Sequence, residues 1–542
     1  MAILSINIPR ETVLLTTSEM NSSKREKSEI GLPCFMASMN DDLLNNILGR
    51  LPAKSFAFAS CVCRSWNNVS CRILSRPMIR SAFAVGRDVP KAAEEVLDKV
   101  LSKPMRPDFA IANVTSISML EEIQTMIVKR VGSRIPIIVS LVAGILGKEA
   151  CSDEFRKLNW DNPTDDDTTD VEDSAILLTI GYTPGLKVEV IPIIKRDEES
   201  FETMGDEFVM DIRKYVSSVS DHTAPIGVIL FGGKFQDVEP IIEKLDYAMP
   251  GETLFMGDER SQFVYRRANE PISARLNNPI SGSARILAGL VFATDRHKPP
   301  NVGEIRFHAM ISRGISPVGP RYKAASVRVN NLGFFAFLTA KREGQPEILD
   351  GQQLLDDINN LLGNRAEDAI LYIGVTKRRN CSVGSKKPKP ITSLVYHEVT
   401  GGDEHCLTVQ GARIRTGDYF QFYYSDPEAA RASVNDVSSQ LRHLKTELNN
   451  STDRVKTEFV GGFIFTCCGR GEPFFGSPDI DGSPFLENLP ESSFGGILCG
   501  GEIFRSSREE NGRRERSVRQ CLHVYSAAYL LVSYTHPSSS SS

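Results

Sequence analysis

Three cysteines near the C-terminus, Cys467, Cys468 and Cys499, lie in two glycine-rich motifs, "GGFIFTCCGRG" (461–471) and "FGGILCGGEIF" (494–504). A nucleophilic thiol needs a base and an orienting group beside it. His523 and Asp479 or Asp481 are the residues that could supply them. Free cysteine is also among the most buried residue types, and a thiol is inert unless its surroundings lower its pKa. No catalytic residue is therefore assigned. Each motif also carries one ionisable residue at the end of a near-continuous apolar strand, Arg470 in the first and Glu502 in the second. A buried charge in that position needs a partner. Two arrangements would supply one. Arg470 and Glu502 could pair with each other or cap backbone groups. Alternatively, with Cys499, they line a pocket for a small zwitterion, Glu502 meeting an amine and Arg470 a carboxylate bidentately.

Other chemistries find less support. "FGGK" (231–234) lacks the spacing of a phosphate-binding P-loop. The 11 cysteines form neither paired CxxC motifs nor a CxxC…HxxxH pattern, so neither a metal site nor a disulfide scaffold is expected, and nothing requires a cofactor. A net charge of −5 gives no general affinity for nucleic acid or anionic membrane. The run "RSSREENGRRERSVR" (505–519) interleaves glutamates with its arginines and reads as a solvated loop, with a localisation signal or phosphate-binding patch as the alternative. The start, "MAILSINIPRETVLL", lacks the features of a signal peptide. The most apolar window, "IPIIVSLVAGIL" (135–146), is shorter than the roughly 20 residues a membrane span needs. The expected compartment is reducing: cytoplasm, nucleus or both.

The elements that would position these residues alternate between strand and helix. Apolar runs at 108–114, 175–182, 187–194, 225–233 and 285–293 read as buried strands, and "SMLEEIQTMIVKRV" (118–131) as an amphipathic helix. An acidic stretch, 161–173, reads as a loop. A second block opens with the helix "GQQLLDDINNLLG" from Gly351. Its clearest helix spans 426–448, with a capping box predicted between Ser425 and Glu428 and one stripe of Val434, Val437, Leu441, Leu444 and Leu448. Strands follow at 459–467, 493–501 and 523–534. Both blocks are expected to be mixed α/β layers, and no tandem LxxLxL spacing supports a leucine-rich solenoid.

Ahead of these blocks, "LLNNILGRLPAKSFAFASCVCRSWNNV" (43–69) reads as three short helices. Leu44, Ile47, Leu48 and Leu51 recur at helical spacing behind an N-cap at Asn40, and Pro52 stops the first helix. Phe56 sits on the second, and Val62, Trp66, Val69 and Ile73 on the third. The unit is shorter than the roughly 40 residues a domain usually needs to fold alone, so an apolar face should remain for a partner, the alternative being a small helical subdomain packed on the rest of the chain.

In residue type and spacing this segment resembles the F-box: a Leu-Leu-x-x-Ile-Leu helix, Leu-Pro, then Val-Cys-Arg-x-Trp. It departs at Met39-Asn40, where the family has Leu-Pro, and at Phe56, where it has Leu. The resemblance implies docking on the Skp-family adaptor of a cullin–RING ubiquitin ligase, with Leu44, Ile47, Leu48, Leu51, Pro52, Phe56, Val62 and Trp66 forming the module's core and docking surface. The two later blocks resemble the FIST N and FIST C domains, on the glycine-rich motifs above and "IRTGDYFQFYYSDPEAA" (414–430). FIST domains are regarded as candidate small-ligand sensors, for amino acids among other ligands. The fold class expected is therefore α+β multidomain: a leader (1–38), a three-helix F-box (39–75), a linker (76–89), mixed α/β FIST N (90–345) and FIST C (346–535) domains, and a tail (536–542). The expected function is that of a non-catalytic receptor subunit of an SCF-type ligase, bound to adaptor and cullin and selecting a protein substrate of unknown identity for proteasomal degradation. The alternative is a sensor of an amino-acid-like ligand.

Overall fold

The computed structural model describes residues 39–159, 174–195, 200–233, 237–270, 285–331, 333–384, 387–411, 413–450, 456–506 and 518–537. The leader, the acidic stretch, Lys234, most of the arginine-rich run and the terminal serines lie outside them.

Three helices open the structure: α1 (Asp41–Leu48), α2 (Ala53–Ser60) and α3 (Arg64–Ile73). Asn40 caps α1 by accepting the Asp42 N–H at 3.0 Å. Leu44, Leu48, Phe56, Ala59 and Val69 bury one another, with Leu51, Trp66 and Ile73 at the margin. This module is seated directly on the body of the protein. The Ala53 N–H donates to the Leu101 carbonyl at 2.9 Å, and the hydroxyls of Tyr182 and Tyr534 donate to the Leu74 and Ser75 carbonyls at 2.6 and 3.0 Å. The expected linker at 76–89 is mostly strand β1 (Met78–Gly86), paired along its length with another strand. Its apolar residues are buried on both faces of a sheet, Ile79 and Phe83 between the sheets and Ala82 and Ala84 on the other side, so the segment does not act as a tether.

The body is built three times on one plan, strand–helix–strand–helix–strand–strand. The first unit runs β1, α4 (Val89–Val100), β2 (Phe109–Val114), α5 (Met119–Val131), β3 (Ile137–Leu141), a hairpin β4 (Gly144–Lys148) and β5 (Phe155–Asn159), then β6 (Ser174–Tyr182). The second runs β7 (Leu186–Ile194), α6 (Phe201–Val219), β8 (Gly227–Gly233), α7 (Glu239–Ala248), β9 (Leu254–Arg266) and β10 (Arg285–Thr294). The third starts with β11 (Glu304–Arg313), which leads into a closed barrel. The barrel strands are β12 (Ile315–Val329), β13 (Phe335–Arg342), β14 (Leu371–Cys381), β15 (Lys389–Gly402), β16 (Leu407–Gln410) and β17 (Tyr419–Ser425), with helix α8 (Gly351–Leu362) between β13 and β14. The third unit then continues with α9 (Pro427–Asn450), β18 (Thr457–Cys467), α10 (Glu472–Phe475), α11 (Ser483–Asn488), β19 (Ser493–Cys499), a short pair β20 (Glu502–Arg505) and β21 (Leu522–His523), and β22 (Ser526–Thr535).

In every unit the last strand lies antiparallel between the first two, and the second and third strands are parallel: β1-β6-β2-β3, β7-β10-β8-β9 and β11-β22-β18-β19. Each third strand turns and sends a short extension antiparallel onto the third strand of another unit. β4 pairs with β19, the later half of β9 with β3, and β20 with the earlier half of β9. The three units thus close a cycle. Units one and two share a ten-stranded sheet, and unit three carries a six-stranded one. The inner faces of the two sheets meet over Phe83, Phe231, Met256, Phe465, Ile497 and Phe504 among others. Helices α4–α7 cover one outside, and α9 and α11 the other.

The interleaving runs across the expected division at 345/346. β4 and β5 belong to the later sheet and β20 to the earlier one, while position 345 lies between β13 and α8, within the barrel segment. The predicted capping box at Ser425 also differs. Asp426 caps α9, its Oδ1 accepting the Glu428 and Ala429 N–H groups at 3.1 Å, while the Ser425 hydroxyl accepts the Ile370 N–H at 3.0 Å.

Candidate functional site

On α1 the apolar residues divide between two faces. Leu44 and Leu48 turn into the module, while Leu43 and Ile47, also four residues apart, face solvent. Phe58 on α2 and Val62 just past its end are exposed as well. These four side chains are 46–64% exposed. Of the eight residues expected to act here, Leu44, Leu48 and Phe56 are core, and Leu51 and Trp66 are half-buried. Pro52 is exposed at the start of α2. Of the eight, only Ile47 and Val62 present exposed apolar surface of this size. Leu43 and Phe58 are functional candidates that sequence reasoning misses. The signal for Leu43 is the i, i+4 pair it makes with Ile47 opposite the buried stripe.

The family model of the F-box domain matches residues 36–76, the span of this module. An F-box/LRR-repeat protein of Arabidopsis thaliana is 52% identical over 529 residues, covering 96% of this chain and 98% of that relative. The chain belongs to the F-box proteins. An F-box implies binding to a Skp-family adaptor and its cullin, hence a substrate-adaptor role of SCF type, and F-box proteins are in general non-catalytic receptors. The relative's name includes leucine-rich repeats. In this F-box protein the described residues beyond the module form two sheets and a closed barrel, not a stack of repeats.

The second group of candidates lies just past the ends of β18 and β19 and at the start of β20, where it pairs with β9. Arg470 is fully buried, and its guanidinium grips Asp481 through Nε at 3.2 and 3.1 Å and Nη2 at 2.7 Å. It also donates to the Tyr525 carbonyl and the Ser312 hydroxyl at 2.9 Å each. Burial opposes its charge, but Asp481 outweighs that and holds the guanidinium pKa above its ordinary value. Glu502 takes a different partner. Its Oε2 accepts the N–H and hydroxyl of Ser526 at 3.1 and 2.7 Å. Burial pushes the Glu502 carboxyl well above the usual range, against the pull of Ser526. The two expected partners are therefore not paired with each other, because each finds a nearer one. They share one peptide instead, Arg470 holding the carbonyl of Tyr525 and Glu502 the N–H of Ser526.

Neither buried thiol gains activation. Cys467 is pushed up by its hydrogen bond with Cys468 and by burial, and Cys499 by burial and the nearby Asp258 and Glu502. Asp481 is committed to Arg470 and to the Thr466 hydroxyl at 2.7 Å. The His523 ring lies 3.0 Å from the Gln520 amide, and burial brings its pKa down to about 3. A thiolate nucleophile needs the opposite electrostatics. Among the described residues no group of three or more His, Cys, Asp or Glu side chains could hold a metal ion. No helix among them is long and apolar enough to cross a membrane.

Two ion clusters that the sequence does not signal join the barrel and the chain's end to α7. Glu239 accepts from Lys377 Nζ and Arg379 Nη2 at 3.0 and 2.6 Å, and Arg379 also reaches Glu243 at 3.2 Å. Asp246 accepts from Arg505 and Arg519 at 2.9 and 2.6 Å, so both ends of the arginine-rich run are anchored.

Proposed function

We propose that this chain is a substrate receptor of an SCF-type ubiquitin ligase, whose F-box docks through Leu43, Ile47, Phe58 and Val62 on the Skp-family adaptor. The exposed apolar face of the module carries this reading. Burying each such side chain is worth about 1.5–3 kcal/mol, and the module's own core has no further use for them. The body and barrel, read from their glycine-rich motifs as FIST N and FIST C regions, select the protein that is ubiquitinated and sent to the proteasome, in the cytoplasm or nucleus. The receptor acts by raising the effective concentration of a substrate lysine near the conjugating enzyme, so no covalent chemistry is asked of this chain.

Co-purification with adaptor and cullin tests it. Leu48→Ala would empty the module's core, so the informative variant is Ile47→Asp with Val62→Asp, which alters only exposed positions. The wild type should recover both partners, and the double variant, folded by its melting curve, should lose them. Equal recovery from both proteins would overturn the docking face.

A further inference from the structure

The hairpin of β14 and β15 carries a charge at odds with that of the whole chain. "TKRRNCSVGSKKPKP" (376–390) holds six lysines and arginines and no acid, in a chain of net charge −5. Side chains alternate along a strand, and the alternation divides these cations between two faces. Lys377 and Arg379 turn to α7, where Glu239 and Glu243 take them. Arg378, between them, is exposed, as are Lys387 and Lys389 on the returning side. None of these three has an ion-pair partner among the described residues.

The backbone of the hairpin is open on one side. β14 pairs with β15 from Tyr372 to Cys381, but with β17 only from Leu371 to Thr376. Its last five residues, 377–381, therefore run past the barrel with one edge that no strand among the described residues takes. The corresponding edge of β15 is sealed. The Arg519 N–H donates to the Thr392 carbonyl at 2.8 Å, and the Leu394 N–H to the Arg519 carbonyl at 2.9 Å. The hairpin is also held from beneath, where Val383 near its tip is buried in the apolar cluster of α6 and α7. The open edge is thus fixed in place and long enough for a strand of ordinary length.

An unpaired edge is a template for another strand, and the charges on it decide which strands are admitted. Cations repel a basic strand and are desolvated without compensation by a neutral one. An acidic strand supplies countercharge as well as backbone partners. We propose that the open edge of β14, at 377–381, takes an extended acidic segment of the protein substrate. The segment adds as a strand and meets Arg378, Lys387 and Lys389 with its carboxylates. This deepens the receptor reading, and rests on it for the fate of the bound protein. A nucleic acid fits less well. It makes no use of a strand's evenly spaced backbone donors and acceptors, and Glu239 and Glu243 have already neutralised two of the six cations.

Fluorescence anisotropy with the full chain tests this, the probe being a labelled peptide of alternating valine and glutamate. Two control peptides accompany it, one with glutamine for glutamate and one N-methylated on two adjacent central residues. The glutamate peptide should bind saturably, and more weakly as salt rises. Loss of its charge, or of its backbone donors, should each weaken binding about tenfold or more. Arg378→Glu with Lys389→Glu, both at exposed positions, should weaken it by about as much, with an unchanged melting curve. The control peptides need no variant, so the test stands even if the double variant misfolds. No saturable binding, affinity unchanged by the charge reversal, equal binding of the N-methylated peptide or tighter binding of a single-stranded oligonucleotide would overturn the proposal. The peptide is titrated without adaptor, so failure of this edge and failure of adaptor docking are told apart.

Discussion

Arg470 and Asp481 are 0% and 1% exposed and form the most deeply buried ion pair among the described residues. Removing one member of such a pair strands the other, at a cost of about 3–5 kcal/mol. Arg470→Met should therefore lower the melting temperature sharply, and adding Asp481→Asn should restore much of it. Asp258 gives a prediction of the opposite sign. Burial, opposed by the Arg260 N–H, raises its pKa to about 7. Its folded pKa lies above its unfolded value, so its contribution is fully present below about pH 4 and is lost as pH rises through 7. Asp258→Asn removes that dependence. The variant should be more stable than wild type at pH 8, by roughly 2–4 kcal/mol at most, and the difference should close towards pH 5. A constant difference in melting temperature across that range would show that Asp258 is not held protonated.

At the scale of elements, α7 carries Glu239, Glu243 and Asp246 towards the barrel and the chain's end, and their cations come from β14, β20 and the residues before β21. Burial resists the charge of Glu239, yet Lys377, His397 and Arg379 lower its pKa below the usual carboxylate value. That contribution is present above the unfolded pKa near about 4.3 and disappears as pH falls through the lower folded value. Glu239→Gln should loosen the barrel's seat without unfolding either part. Faster amide exchange in β14 and β15, with β18 and β22 unchanged, is the expected pattern. Uniform exchange throughout would mean the ion cluster does not hold the barrel. Helix α8 should be more forgiving. Its Asp350–Gln353 capping box lies at the surface, and Asp350→Ala should cost only about 1 kcal/mol in a denaturant titration.

For the whole molecule, the cyclic exchange of extension strands means that no cut through the body separates two folding units. Fragments 1–345 and 346–542 should each be insoluble, since each would expose strands that pair only with the other. The barrel is different. Ile315 and Ser425, its first and last strand residues, are directly opposite each other in β12 and β17. A short Gly-Ser connection in place of 315–425 should leave a folded body, measurable as a cooperative melt. An aggregated product would show that the barrel is integral to the body. The sequence by itself determined the F-box, because its helices carry a residue pattern tied to spacing along the chain. It likewise determined the buried strands and the long helix from Pro427, since apolar periodicity is local, although not which residue caps that helix. It placed Arg470 and Glu502 at strand ends that needed partners, but not which partners. Asp481 stands 11 residues from Arg470 and Ser526 24 from Glu502, brought in by a turn and by the return of the last strand, neither of which has a local signature. The cycle of three units, the seat of the F-box on the body and the acids on α7 were decided by tertiary structure alone. Strand pairing between distant segments satisfies backbone hydrogen bonds that any sequence offers, so its register is chosen by which faces bury together.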